Sequence, residues 1–167
     1  KGLKKKLKNN SRPYFKDKIK KRYNFETNNK KNKMQTIKHL FHINSSIESV
    51  FEALTDVNKL KCWYTSEITG SAKKDGEIVF RFGAMSMTTK VTKFINNETL
   101  EWKTVDASIP LVNHITTFRL DANADKTRVR FEHVGFESQD DGYANMNYSW
   151  AKYLESLRQY CQKGIGE

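Results

Sequence analysis

Residues 34–167 predict an α+β domain, a curved antiparallel sheet wrapped around one long C-terminal helix, in the order strand, two short helices, six strands, helix. Three observations carry that reading. Short runs with apolar residues at every second position recur between turn signals from Thr36 to Val134, the mark of antiparallel strands with one wet face. Between Ser45 and Trp63 the pattern switches to helical spacing. From about Gln139 the spacing turns helical again for about 24 residues, roughly 36 Å of helix.

The elements follow in order. "TIKHLFHIN" (36–44) sets Ile37, His39, Phe41 and Ile43 against Lys38, Leu40, His42 and Asn44, a strand with one buried face. Ser45 or Ser46 can cap the next helix, where Ile47, Val50, Phe51 and Leu54 form a single apolar stripe. Asp56 can cap a second, short helix carrying Leu60 and Trp63. After the turn "KKDG", "GEIVFRF" (76–82) puts Ile78, Phe80 and Phe82 on one face. "MSMTTKVTKFI" (85–95) turns Met85, Met87, Thr89 and Val91 inward, and "INNET" is a hairpin turn into "TLEWKTV" (99–105), with Leu100 and Trp102 inward. "LVNHITTFRL" (111–120) places Val112, His114, Thr116, Phe118 and Leu120 on one face. After an "ANAD" turn, "TRVRFEHV" (127–134) places Val129, Phe131 and His133 there too. The final helix carries a stripe of Tyr143, Met146, Trp150, Tyr153, Leu154, Leu157 and Cys161, and Gly164 and Gly166 stop it. A sheet with one apolar face needs a cover, and this helix is the one element large enough to provide it. A twisted sheet around a single rod leaves a gap along part of its length, an apolar cavity.

The net charge of +11 is concentrated at one end: residues 1–33 carry 14 Lys/Arg and two acids, whereas 34–167 carry 16 basic and 17 acidic residues. The neutral body removes most of the argument for nucleic acid binding by the domain. The Lys/Asn-rich leader has no apolar period or run, so it reads as neither a signal peptide nor a membrane span. Three readings compete for it: a disordered basic arm touching nucleic acid or anionic lipid, a helix docked on the domain, or a segment that is not native, since the first methionine is Met34, just ahead of the first strand. The expectation is a solvated or non-native leader. Cys62 and Cys161, with no secretory signal, read as reduced thiols of a cytoplasmic protein.

The chemistry-bearing candidates are few. With "ANAD" as the loop, Asp121 faces Lys126 and His114 faces His133, which puts two imidazoles side by side on the inner face with their Cβ atoms about 5 Å apart. Such a pair can meet a polar ligand head, or a metal if a third ligand exists, and no Cys, Asp or Glu has a clear claim to that place. The plainer reading leaves both histidines solvated at the open end of the sheet or bonded to the long helix. Phe80, Phe82, Met85, Met87, Trp102, Phe131, Met146 and Trp150 are the candidates for an adaptable apolar lining, each of them individually an ordinary core residue as well. No nucleophile elbow, catalytic Cys–His arrangement or phosphate-cradling glycine loop occurs, so no catalytic residue, metal or cofactor is expected.

Across residues 34–167, "SIESVFEALTDVNKLKCWY", "GEIVFRFG", "FEHVGF" and "WAKYLESLRQYCQKG" resemble the START-like superfamily (SRPBCC, the Bet v-like helix-grip fold). Within it, the chain is similar to homologues of the activator of the ninety-kilodalton heat-shock chaperone's ATPase. It departs from the family's habits at Ser45-Ser46, often Ala-Pro, at Asp56-Val57, often Asp-Pro, and at Ser149, often Gly. The resemblance implies a deep pocket between sheet and C-terminal helix with the two short helices at its mouth. There Trp63 would be a gate at the rim or a staple for the helices, and Tyr64 a surface or packing residue. The leading expectation is therefore a non-enzymatic domain that holds a small apolar or amphipathic molecule. The alternatives are a protein-binding module that stimulates a chaperone ATPase, and an enzyme with His114 or His133 as acid–base.

Overall fold

The computed structural model describes residues 34–166. The basic leader lies outside the described residues, and so do the three readings of it.

β1 (Gln35–Ile43) runs along one edge of the sheet. Ser46 then caps α1 (Ile47–Thr55) by accepting from the Ser49 amide at 3.2 Å. Asp56 caps α2 (Val57–Leu60) by accepting from the Asn58 and Lys59 amides. These helices link β1 to the opposite edge, where β2 (Glu67–Gly70) opens a meander through β3 (Glu77–Phe82), β4 (Met85–Ile95), β5 (Thr99–Ala107), β6 (Ile115–Asn123) and β7 (Lys126–Phe136). The seven-stranded sheet has the order β1-β7-β6-β5-β4-β3-β2, antiparallel throughout, and the chain ends in α3 (Asp141–Lys163). This is the expected α+β helix-grip architecture, a curved antiparallel sheet with a C-terminal helix. Sequence patterning locates five of the six meander strands. The sixth is β2, whose four residues are too few for alternation to register.

Asp140 starts α3 by accepting from the Tyr143 amide at 3.0 Å, and Gly164, at φ 75°, ends it. Gly166 has another task. A Cβ there would lie 2.2 Å from the Cys62 carbonyl oxygen, so only glycine lets the tail lie this close to the segment after α2. Trp150, Leu154 and Leu157 of α3 and Val50, Phe51 and Leu54 of α1 meet the inner face of the sheet, where Ile37, Ile43, Phe118 and Val129 are fully buried. The outer face is wet and charged: Lys38 and Arg119 flank Glu132, and Arg128 and Arg130 clasp Asp121.

A bulge in β4 corrects the side-chain parity. Val91 pairs with Trp102, Thr92 is skipped, and Lys93 pairs with Glu101. Strict alternation from Val91 would aim Lys93 at the core. The extra residue turns Phe94 inward instead, where its ring meets Phe51 edge-on at 5.1 Å. The strand expected at 111–120 begins only at Ile115, because Asn113 takes a left-handed φ of 69° and breaks the extended run. Val112, expected inward, is consequently exposed, while Leu111 is buried.

Candidate functional site

The sheet and α3 stay in solid contact along part of their length and part company at the end where β4 and β5 face the first half of the helix. A chamber of about 130 Å³ lies there. Met85, Met87, Phe82 and Trp102 contribute sheet-side walls, and Met146, Trp150 and Tyr153 the helix side. A belt of small polar side chains crosses the sheet wall: Thr89 on β4, Thr104 on β5, Thr116 on β6 and His133 on β7, all buried. Among the described residues, Lys, Arg, Asp and Glu are all missing from the lining.

Of the eleven residues expected from sequence, Phe82, Met85, Met87, Trp102, His133, Met146 and Trp150 line this chamber. Four do not, and each has a structural reason. Trp63 is neither at a rim nor a gate. Its ring is buried and its indole N–H donates to the Ala53 carbonyl at 2.9 Å, stapling α2 to α1. Phe80 and Phe131 sit one layer behind the lining, Phe80 against Tyr64 and Trp102 at 5.1 and 5.4 Å, Phe131 against Trp150 at 4.4 Å. His114 faces a different, outer cleft of about 710 Å³ beyond the end of the sheet. Chamber and cleft adjoin, sharing Ile109, Leu111, Asn145 and Met146 as common walls.

Tyr64, expected as a surface or packing residue, is a wall of the chamber. It lies nearly parallel to Trp150 at 5.4 Å and meets Phe80, Phe82 and Tyr153 edge-on at 4.9–5.2 Å, forming the corner of the chamber. Burial pushes its phenol well above the usual value, so it stays protonated. The signal was present as adjacency: a turn that buries Trp63 against α1 leaves its neighbour to face the sheet.

The two histidines do meet, but not as direct partners. The loop between β6 and β7 is two residues long, Ala124-Asp125, with Ala124 at φ 56°, so Asn123 pairs with Lys126 and His133 pairs with Thr116. His114 therefore reaches His133 on the diagonal, Nδ1 to Nε2 at 3.1 Å. An indole N–H can only donate, and Trp150 donates to Nδ1 of His133 at 2.9 Å. Nε2 of His133 then carries the proton and donates to Nδ1 of His114. Both nitrogens of His133 are engaged, so His133 is bonded to the long helix, whereas His114 is bonded to His133 and not to the helix. Burial and the neighbouring imidazole hold His133 far below the ordinary histidine value, at about 3, and burial lowers His114 as well. Gly135 makes room for the pair: at φ 136°, a Cβ there would sit 2.6 Å from the His114 ring. Among the described residues no group of three or more His, Cys, Asp or Glu is placed to hold a metal ion.

A helix-grip sheet with a walled chamber beneath its long helix defines the class of this domain. Residues 44–162 match the model of the Activator of Hsp90 ATPase homolog 1-like protein family, and the chain belongs to that family. The Aha1 dimer from Colwellia psychrerythraea, known in solution, is 34% identical over 80% of this chain and 100% of its own, with a TM-score of 0.74. SSP2350 from Staphylococcus saprophyticus (18% identity, 80% of this chain and 96% of that one, TM-score 0.67) and CalU16 from Micromonospora echinospora (18%, 80% and 78%, 0.66) share the fold. No curated protein matches the chain. No helix among the described residues is long and apolar enough to cross a membrane.

Proposed function

We propose that this domain holds a small apolar or amphipathic molecule between sheet and helix, without transforming it. The observation that carries the reading is the chamber itself, walled by methionines and aromatic rings without a charged side chain among the described residues. Its adjoining outer cleft, with Glu137, Ser138 and Asp140 on its walls, suits the polar end of an amphipathic occupant. At about 130 Å³ the chamber accepts a fragment of ring size, since an apolar cavity of about 150 Å³ takes up benzene. Free cysteines at 62 and 161 support a reducing, cytoplasmic setting. Native mass spectrometry of the purified chain tests the reading. An adduct of small-molecule mass is expected. A bare chain that no apolar fragment stabilises against heat would overturn it.

A second reading has its own support, the 34% identity to a protein described as Aha1 along that protein's whole length. On that reading the domain stimulates a chaperone ATPase. It requires faster ATP turnover by the chaperone when the full chain is added, and unchanged turnover would exclude it.

A further inference from the structure

A chain of hydrogen bonds with a fixed direction runs from the long helix to the outer cleft. Trp150 donates to Nδ1 of His133 at 2.9 Å, and Nε2 of His133 meets Nδ1 of His114 at 3.1 Å. The indole can only donate, so each neutral imidazole downstream accepts at Nδ1 and carries its proton on Nε2. The last proton of the chain, on Nε2 of His114, finds no acceptor among the described residues. Nor is that nitrogen sealed in. The enclosed side-chain atoms without partners are Nε2 of His39, Oγ1 of Thr89 and Nε1 of Trp102, so Nε2 of His114 keeps surface open to a small molecule. It opens on the cleft of about 710 Å³, of which His114 is a wall. The residue is also held still. Its amide donates to the Leu111 carbonyl at 3.0 Å, its carbonyl accepts from the Thr104 amide at 2.9 Å, and Phe136 meets its ring edge-on at 4.7 Å.

We propose, resting on the ligand-holding reading above, that the occupant's polar end is an uncharged, carbonyl-type acceptor bound in the outer cleft by the Nε2–H of His114. Its apolar end lies in the chamber, past the walls that chamber and cleft share, Ile109, Leu111, Asn145 and Met146. His133 and Trp150 are positioning residues: they decide which nitrogen of His114 holds the proton. A carboxylate head is disfavoured. Among the described residues the acids and bases on the cleft, apart from His114, are Glu137 and Asp140, and burial keeps His114 neutral. An anion there would lose hydration without gaining a cation. An ammonium head would suit those acids but brings no acceptor for the imidazole N–H.

Benzylacetone, its methylene analogue and hydrocinnamate provide the test. All share a phenyl ring on a short flexible arm. They end in a methyl ketone, in the same group with C=CH₂ in place of C=O, and in a carboxylate. Each is titrated into the full chain by calorimetry. The ratio of affinities, ketone over methylene analogue, is expected to fall about fivefold in His114→Phe, which keeps a ring and removes the N–H. Hydrocinnamate is expected to bind more weakly than the ketone. Nitrogen NMR of the unmodified chain, whose folding is not at issue, should show His114 protonated at Nε2, with that resonance moved by the ketone and left in place by the analogue. In His133→Phe the proton of His114 is expected to spread over both ring nitrogens, and a proton still confined to Nε2 would remove the positioning role. An unchanged ratio, or an Nε2 resonance that ignores the ketone, overturns the inference while leaving the ligand-holding reading intact. Hydrocinnamate binding as tightly as the ketone overturns the exclusion of an anion. Binding by none of the three probes removes the ligand-holding reading and this inference together.

Discussion

The interface between the sheet and α3 has two ends built by different rules. Around Leu154 and Leu157, with Leu54, Ile43 and Val129, the side chains are branched aliphatics and every one is fully or almost fully buried. Around Met146 and Tyr153 the opposing residues are methionines, aromatic rings, threonines and an imidazole, and two polar groups lack partners among the described residues. Close packing stabilises the first end. The second gives up contact area and hydrogen bonds, and it is the end whose walls are suited to receive another molecule. One helix can do both because its buried stripe changes composition along its length.

Substitutions should separate the two ends, the largest effects falling on the solid one. Leu157→Ala is expected to cost about 2–5 kcal/mol in urea unfolding, as truncation of a fully buried leucine does. Met87→Ala, on a wall that already lacks neighbours on one side, should cost about half of that or less. Comparable losses would mean that the chamber end is packed as tightly as the rest.

Gly135→Ala combines a strained φ with a collision against the His114 ring, for an expected loss of about 2 kcal/mol and a displaced His114 imidazole in NMR spectra. An unmoved imidazole would show that the glycine is not what seats it.

The histidine pair adds a pH signature. His133 titrates at about 3 when folded, against 6.5 when unfolded. Above pH 6.5 neither state takes up the proton and this contribution is complete. Between 6.5 and about 3 the unfolded chain binds a proton that the folded chain refuses, so stability should fall with pH by up to about 1.4 kcal/mol per unit. His133→Gln should flatten that slope in urea titrations across the window, and a slope identical to the parent's would assign it elsewhere.

The smallest effect should run the other way. Thr89→Val removes a hydroxyl that has no partner among the described residues and should stabilise the chain by about 1 kcal/mol. A loss of similar size would show that the hydroxyl is bonded after all.

The solid end was the more legible in sequence. Its apolar residues recur at the periods of helix and strand, and the stripes on α1 and α3 lie where the spacing puts them. The hollow end depends on single-residue geometry that periodicity does not encode. The β6–β7 loop is two residues shorter than the "ANAD" turn implies, yet the histidines still meet, because a slip of two keeps every side chain on its own face. The bulge at Thr92 shifted parity by one, and no composition signal marks it. Trp63 takes the staple role and Tyr64 the corner of the chamber although their rings lie only 5.3 Å apart, and tertiary packing alone decides which of the two meets α1. Thr89, Thr104 and Thr116 looked like ordinary strand residues, since threonine favours strands whether or not it lines a cavity.

The contrast between the two ends can be read in one experiment, methyl NMR of the full chain under xenon pressure. A chamber between β4, β5 and α3 predicts saturable shifts of the Met87 and Met146 methyl groups while those of Leu157 and Ile43 stay still. Methionine methyls that do not respond, or leucine and isoleucine methyls that respond equally, would contradict it.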